Sequence, residues 1–167
     1  MTKLKVGKNE VAIGYRNKYD NDGSGCVSFI DVDQKQYLYT QFEPYYANRV
    51  FPLFDQPDLK AKMRLNVISP SDWKKVLSNE TATVESAFNA EAFMGNIRTV
   101  HKEIVFEFVK EQKGNMTIFP ESKLLPTYLF CFVAGAYEEL KIDQPYKVMC
   151  WNYSGNPHVT VLHRVVV

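Results

Sequence analysis

Tyr39-Thr40-Gln41-Phe42-Glu43-Pro44-Tyr45-Tyr46-Ala47-Asn48-Arg49-Val50-Phe51-Pro52-Leu53-Phe54-Asp55-Gln56-Pro57-Asp58-Leu59-Lys60 holds the features that decide the fold. The extended run from Tyr37 to Glu43 ends at Pro44, because proline offers no backbone N–H to a strand ladder. Pro52 and Pro57 make the segment after it irregular. Outward from this stretch the same pattern repeats, with short runs rich in Val, Ile, Tyr and Phe standing between turn clusters. That is the pattern of an all-β sandwich or open barrel of antiparallel strands, not of a βαβ protein.

Upstream, Val11, Ile13 and Tyr15 alternate with polar residues, and Asp20-Asn21-Asp22-Gly23-Ser24-Gly25 is turn chemistry. A hairpin is predicted, with Cys26 to Ile30 as the returning strand. Downstream, strands are expected at 61–68, 74–77, 104–109, 128–133, 146–151 and 159–167. One segment breaks the pattern. Residues 83–97 are Ala-rich and place Val84, Phe88 and Ala92 at helical spacing, which predicts one short helix inserted against a sheet face. Val165-Val166-Val167 closes the chain in an apolar strand-like run, an edge that a neighbouring strand or another molecule is expected to cap.

The chain of 167 residues is a single-domain length, and one core of this size folds without disulfides or metals. Its formal net charge of +1, with acids and bases intermixed, leaves no basic stripe for phosphates and argues against nucleic acid as a partner. Cys26, Cys131 and Cys150 are odd in number and far apart, which reads as buried thiols in a reducing, intracellular compartment such as the cytoplasm. Met1 to Lys8 lacks the apolar centre of a signal peptide, and no run approaches bilayer length, so neither secretion nor membrane insertion is expected.

Strand geometry gives the central stretch its chemistry. Residues two apart point the same way, so Gln41 and Glu43 project side by side while Phe42 faces the other side. A carboxylate beside an amide carbonyl suits a free α-ammonium group, since both accept hydrogen bonds and one cancels the charge. The plain alternative is that Glu43 ends a strand and Gln41 pairs with backbone. Arg49, Asp55 and Asp58 read as charges that hold the proline-bound loop, with Phe51, Phe54 and Leu59 anchoring it by burial. Tyr37, Tyr39, Tyr45 and Tyr46 read as packing and rim residues. His158 and His163, five apart in a strand-like run, point to opposite faces and make a poor ligand pair; His101 stands alone. No nucleophile lies in an activating context, so no catalytic residue and no metal ligand is assigned.

The run Thr40-Gln41-Phe42-Glu43-Pro44, then Arg49, then Phe51-Pro52-Leu53-Phe54-Asp55-Gln56-Pro57-Asp58 resembles the signature of the amino-terminal domain of the aminopeptidase N family of zinc metallopeptidases. Two further stretches are similar to that family in the same order: Ser71 to Asn79 and Leu125 to Glu138. The resemblance implies a single β domain over 1–167, short of some strands at its amino-terminal side, with antiparallel sandwich or saddle-like sheets. It also implies that Gln41 and Glu43 bind the amine of a peptide substrate. The sequence holds no His-Glu-x-x-His, so zinc is expected only in a separate catalytic domain. Two roles follow as expectations. One is a non-catalytic, structural or interaction subunit whose strand edges meet other protein subunits of an intracellular assembly. The other is the substrate-binding piece of a zinc aminopeptidase whose catalytic domain is supplied elsewhere.

Overall fold

The computed structural model describes residues 6–97, 102–141, 147–153 and 156–160, and the side chains of residues 104, 108 and 139–160 lie outside that description. The architecture is mostly β, with every strand-to-strand pairing within the sheets antiparallel. β1 (Gly25–Ile30), β2 (Gln36–Gln41), β4 (Lys75–Ser78) and β7 (Phe132–Gly135) form one sheet in the order β1-β2-β7-β4. β3 (Asn66–Ser69), β5 (Val84–Ala87) and β6 (Asn115–Ile118) form a second, ordered β3-β6-β5. β8 (Glu138–Lys141), β9 (Lys147–Tyr153) and β10 (Asn156–Thr160) form a third, ordered β10-β9-β8. Two short helices, α1 (Ala90–Asn96) and α2 (Lys102–Val109), and two 3-10 turns, Ala47–Arg49 and Thr127–Leu129, stand among the described residues.

The first sheet is assembled from the three stretches that carry the resemblance. β2 brings the Gln41 stretch, β4 the Trp73 stretch and β7 the Leu125 stretch, and β7 pairs with both of the others. Leu38, Ala134 and Val76 stand opposite one another across three strands, so their side chains share a face. They are buried with Cys26, Trp73 and Phe119 in one apolar cluster, against which Val67 of β3 packs. The other face of the second sheet carries Ile68, Val84, Met116 and Ile118, which pack with Phe93 of α1 and Val105 and Val109 of α2. The layers are therefore sheet, sheet and helices, with apolar residues alternating between the two interfaces as the strand period requires.

Several sequence expectations are corrected. Val11, Ile13 and Tyr15 form no strand, and all three are exposed, so the alternation there serves no core. The hairpin instead joins β1 to β2 through residues 31–35, where Asp31 N–H donates to Lys35 C=O at 3.0 Å and Gln34 takes a φ of 59°. The helix expected over 83–97 is confined to Ala90–Asn96, and its first part is the strand β5. Residues 104–109, read as a strand, lie in α2. There Val105 and Val109, four apart, face the same cluster, and this packing outweighs the β preference of the segment. The run 61–68 is strand only from Asn66, and Thr127–Leu129 is a single 3-10 turn before β7. β6 and β8 were not anticipated. Phe54 and Leu59, expected to be buried, are 84% and 48% exposed; Phe51 alone of the three anchors the loop, in contact with Phe42 and Phe130. Cys131 is exposed, while Cys26 is buried. His101, His163, the side chains of His158 and Cys150, and the terminal run 165–167 lie outside the described residues.

Candidate functional site

β2 runs out at Gln41, and the chain then turns sharply outward. Phe42 is buried at 1% exposure among Ala47, Phe51 and Phe130, whereas Gln41 and Glu43 are exposed. The strand expected to reach Glu43 stops at Gln41 and Glu43 lies in the turn, while the core holds Phe42 and leaves its two polar neighbours at the surface. Tyr46 N–H donates to Phe42 C=O at 2.8 Å, closing residues 42–46 into one turn. Gln41 Oε1 accepts a long hydrogen bond from the Glu43 backbone N–H at 3.4 Å, the backbone pairing that the plain alternative expects of Gln41.

The loop behind the turn is fastened by charge, though not between the residues that sequence paired. Arg49 Nη1 reaches back to Asp22 at 2.8 Å and to Asp20 at 3.6 Å, both in the turn before β1. The Arg49 hydrogen bond holds the Asp22 carboxyl below its ordinary range. Asp20 also accepts the Cys26 backbone N–H at 3.0 Å. Asp55 accepts from Asn48 N–H at 3.0 Å and from the Thr127 hydroxyl at 2.6 Å, tying the loop to the turn before β7. Asp58 is exposed and lies in a turn. The turn acids were legible as turn formers, but nothing local in the sequence indicates that Arg49, 27 positions away from Asp22, would be their counter-charge.

A second set of polar residues, missed in the sequence, pins the strand partner of β2. Thr40 Oγ1 donates to Phe132 C=O at 3.0 Å and accepts from Phe132 N–H at 2.9 Å. Asn79 accepts from Cys131 N–H at 2.9 Å and donates to Leu129 C=O at 2.8 Å, and Ser78 Oγ donates to Cys131 C=O at 2.7 Å. The Thr40 and Ser78-Asn79 positions of the sequence signature therefore act as fasteners for the segment entering β7.

Elsewhere, an open groove of about 250 Å³ lies between β4 and β5, lined among others by Ser69, Trp73, Glu85 and Thr117 and bordered by the Lys75–Glu85 ion pair at 3.0 Å. It does not include Gln41 or Glu43. Burial, followed by the Asp20 charge, pushes the Cys26 thiol up to about 11, which makes it a poor nucleophile at neutral pH. Among the described residues no group of three or more His, Cys, Asp or Glu is placed to hold a metal ion. No helix among them is long and apolar enough to cross a membrane.

The described residues define a class of protein, a mostly antiparallel β domain with two short helices packed on one sheet. Residues 2–129 match the Peptidase M1 N-terminal domain, and the chain belongs to that family. It is 42% identical over 79 residues to aminopeptidase N of Streptomyces lividans, an alignment covering 47% of this chain and 9% of the relative. It is 30% identical over 131 residues to probable aminopeptidase 1 of Sulfurisphaera tokodaii, covering 78% of this chain and 14% of the relative. Aminopeptidase M1-C of Oryza sativa subsp. japonica is 32% identical over 124 residues, covering 74% of this chain and 10% of the relative. The chain thus spans only about a tenth of the curated relatives it matches.

Proposed function

We propose that this domain recognises the free amino terminus of a peptide, with Glu43 as the carboxylate that meets the ammonium and Gln41 as the neighbouring acceptor. The observation that carries the reading is the division at the end of β2: Phe42 is buried while Gln41 and Glu43 stay exposed on either side of it. Among the described residues Glu43 takes part in no ion pair, so its charge is available to a ligand. Charge-assisted hydrogen bonds shielded from water contribute roughly 1.5–3 kcal/mol each. In this reading the bond-breaking chemistry and its zinc belong to a catalytic domain joined to this one. In a polypeptide that carries both, Glu43→Ala is expected to lower kcat/KM for peptides with a free amino terminus by about 10- to 100-fold. Thermal stability should not change. An unaltered kcat/KM would sink the reading.

A second role, as a non-catalytic interaction module of an intracellular assembly, is favoured by one feature. Among the described residues β1 has β2 on one side and only an isolated bridge between Asp20 and Val27 on the other, and Ile30 at its end is 70% exposed. Such an edge supplies main-chain groups for strand addition by another protein. Native purification with identification of copurifying subunits separates the two roles: a stable complex that is unaffected by Glu43→Ala would favour the module.

A further inference from the structure

The turn that presents Glu43 also presents an aromatic ring. With Phe42 and Ala47 buried, Glu43, Pro44 and Tyr45 stay outside, and Tyr45 is 59% exposed. Its ring is nevertheless held. The Tyr46 ring lies 5.3 Å away at an interplanar angle of 36°, and the Arg49 guanidinium sits over Tyr46 at 4.6 Å. Arg49 is in turn fixed by Asp22 at 2.8 Å, and Asn48 Nδ2 donates to Tyr45 C=O at 3.3 Å. A ring supported in this way offers flat apolar surface to a ligand at little further cost in side-chain entropy.

Tyr45 is two residues from Glu43, so their Cα atoms lie within about 7 Å of each other. That is the scale of one amino acid from its ammonium to the end of a large side chain. Building on the amine-holding reading of Glu43, we infer that Tyr45 is the surface against which the side chain of the same amino-terminal residue packs. The site therefore selects aromatic and large aliphatic first residues over small ones.

The test is amide-resolved NMR titration of this chain with phenylalaninamide, alaninamide and N-acetylphenylalaninamide, in the wild type and in Tyr45→Ala, Tyr45→Phe and Glu43→Gln. Phenylalaninamide is expected to bind about two- to tenfold more tightly than alaninamide, with shifts at Gln41, Glu43 and Tyr45. The acetylated compound should bind least. Tyr45→Ala should remove the preference, and Tyr45→Phe should keep it. If both amides bind in a Glu43-dependent way but with equal affinity, or if the preference survives in Tyr45→Ala, the inference falls and the amine-holding reading stands. If neither amide binds the folded wild-type chain, both fall. Tyr45 lies outside the core, and dispersed spectra of the variants will show that they remain folded.

Discussion

Thr40 fastens two strands with one hydroxyl, donating to and accepting from the backbone of Phe132 just beyond the last residue pair of the β2–β7 ladder. Thr40→Val keeps the shape and removes both bonds, leaving two half-buried backbone groups unpaired. A loss of about 1–3 kcal/mol in urea unfolding is expected. Gly135 makes the opposite demand, for space. It has a φ of +147°, and a Cβ there would stand 2.9 Å from Gln36 C=O and 3.1 Å from the Tyr37 Cα. Gly135→Ala should therefore destabilise by at least about 1 kcal/mol, because both strain and a backbone clash arise where β7 passes β2. Both residues lie in stretches that stood out in the sequence. Their tasks were not visible there, because each depends on a partner far away in the chain, Phe132 for Thr40 and Gln36 with Tyr37 for Gly135.

At the level of elements, local signals did not tell strand from helix over 83–97 and 104–109, and the cap at Asn89 was not read from them. Asn89 caps α1, its side chain accepting from Ala92 N–H at 2.8 Å. Asn89→Ala is expected to cost about 1 kcal/mol and to loosen Phe93 from the second sheet, measurable as a lower melting temperature and faster amide exchange in Met94 and Gly95. The segment 83–97 carried helical spacing throughout, yet its first third became β5 because β6 offered it a partner, with Val84 opposite Ile118. α2 shows the converse, a β-branched and aromatic run that is helical because two of its apolar residues four apart meet the same core. In both cases tertiary packing overrode a preference too weak to decide by itself.

At the scale of the whole molecule, exposed ion pairs bridge distant parts of the chain, among the described residues Asp22 with Arg49 and Glu138 with Lys74 at 2.9 Å. Hydrogen bonds from Arg49 and from Lys74 hold these carboxyls below their ordinary range. A carboxyl whose folded pKa is depressed adds stability that is present above its unfolded value and is lost as pH falls through the folded one. Stability should therefore decline below about pH 4, the ordinary carboxylate region. Arg49→Gln should flatten that decline, and added salt should weaken it in the wild type, as measured by denaturation midpoints across the acid range. A decline unchanged in Arg49→Gln would show that the Asp22 pair does not contribute.

The sequence by itself determined the β class and the family, because strand-forming runs, proline placement and short motifs are properties of neighbouring residues. Only the tertiary structure decided which strands share a sheet, that Arg49 answers Asp20 and Asp22 instead of Asp55, and that Phe54 stays outside while Phe51 goes in. Those outcomes depend on contacts between residues far apart in the chain, whose energies exist only once the layers have packed.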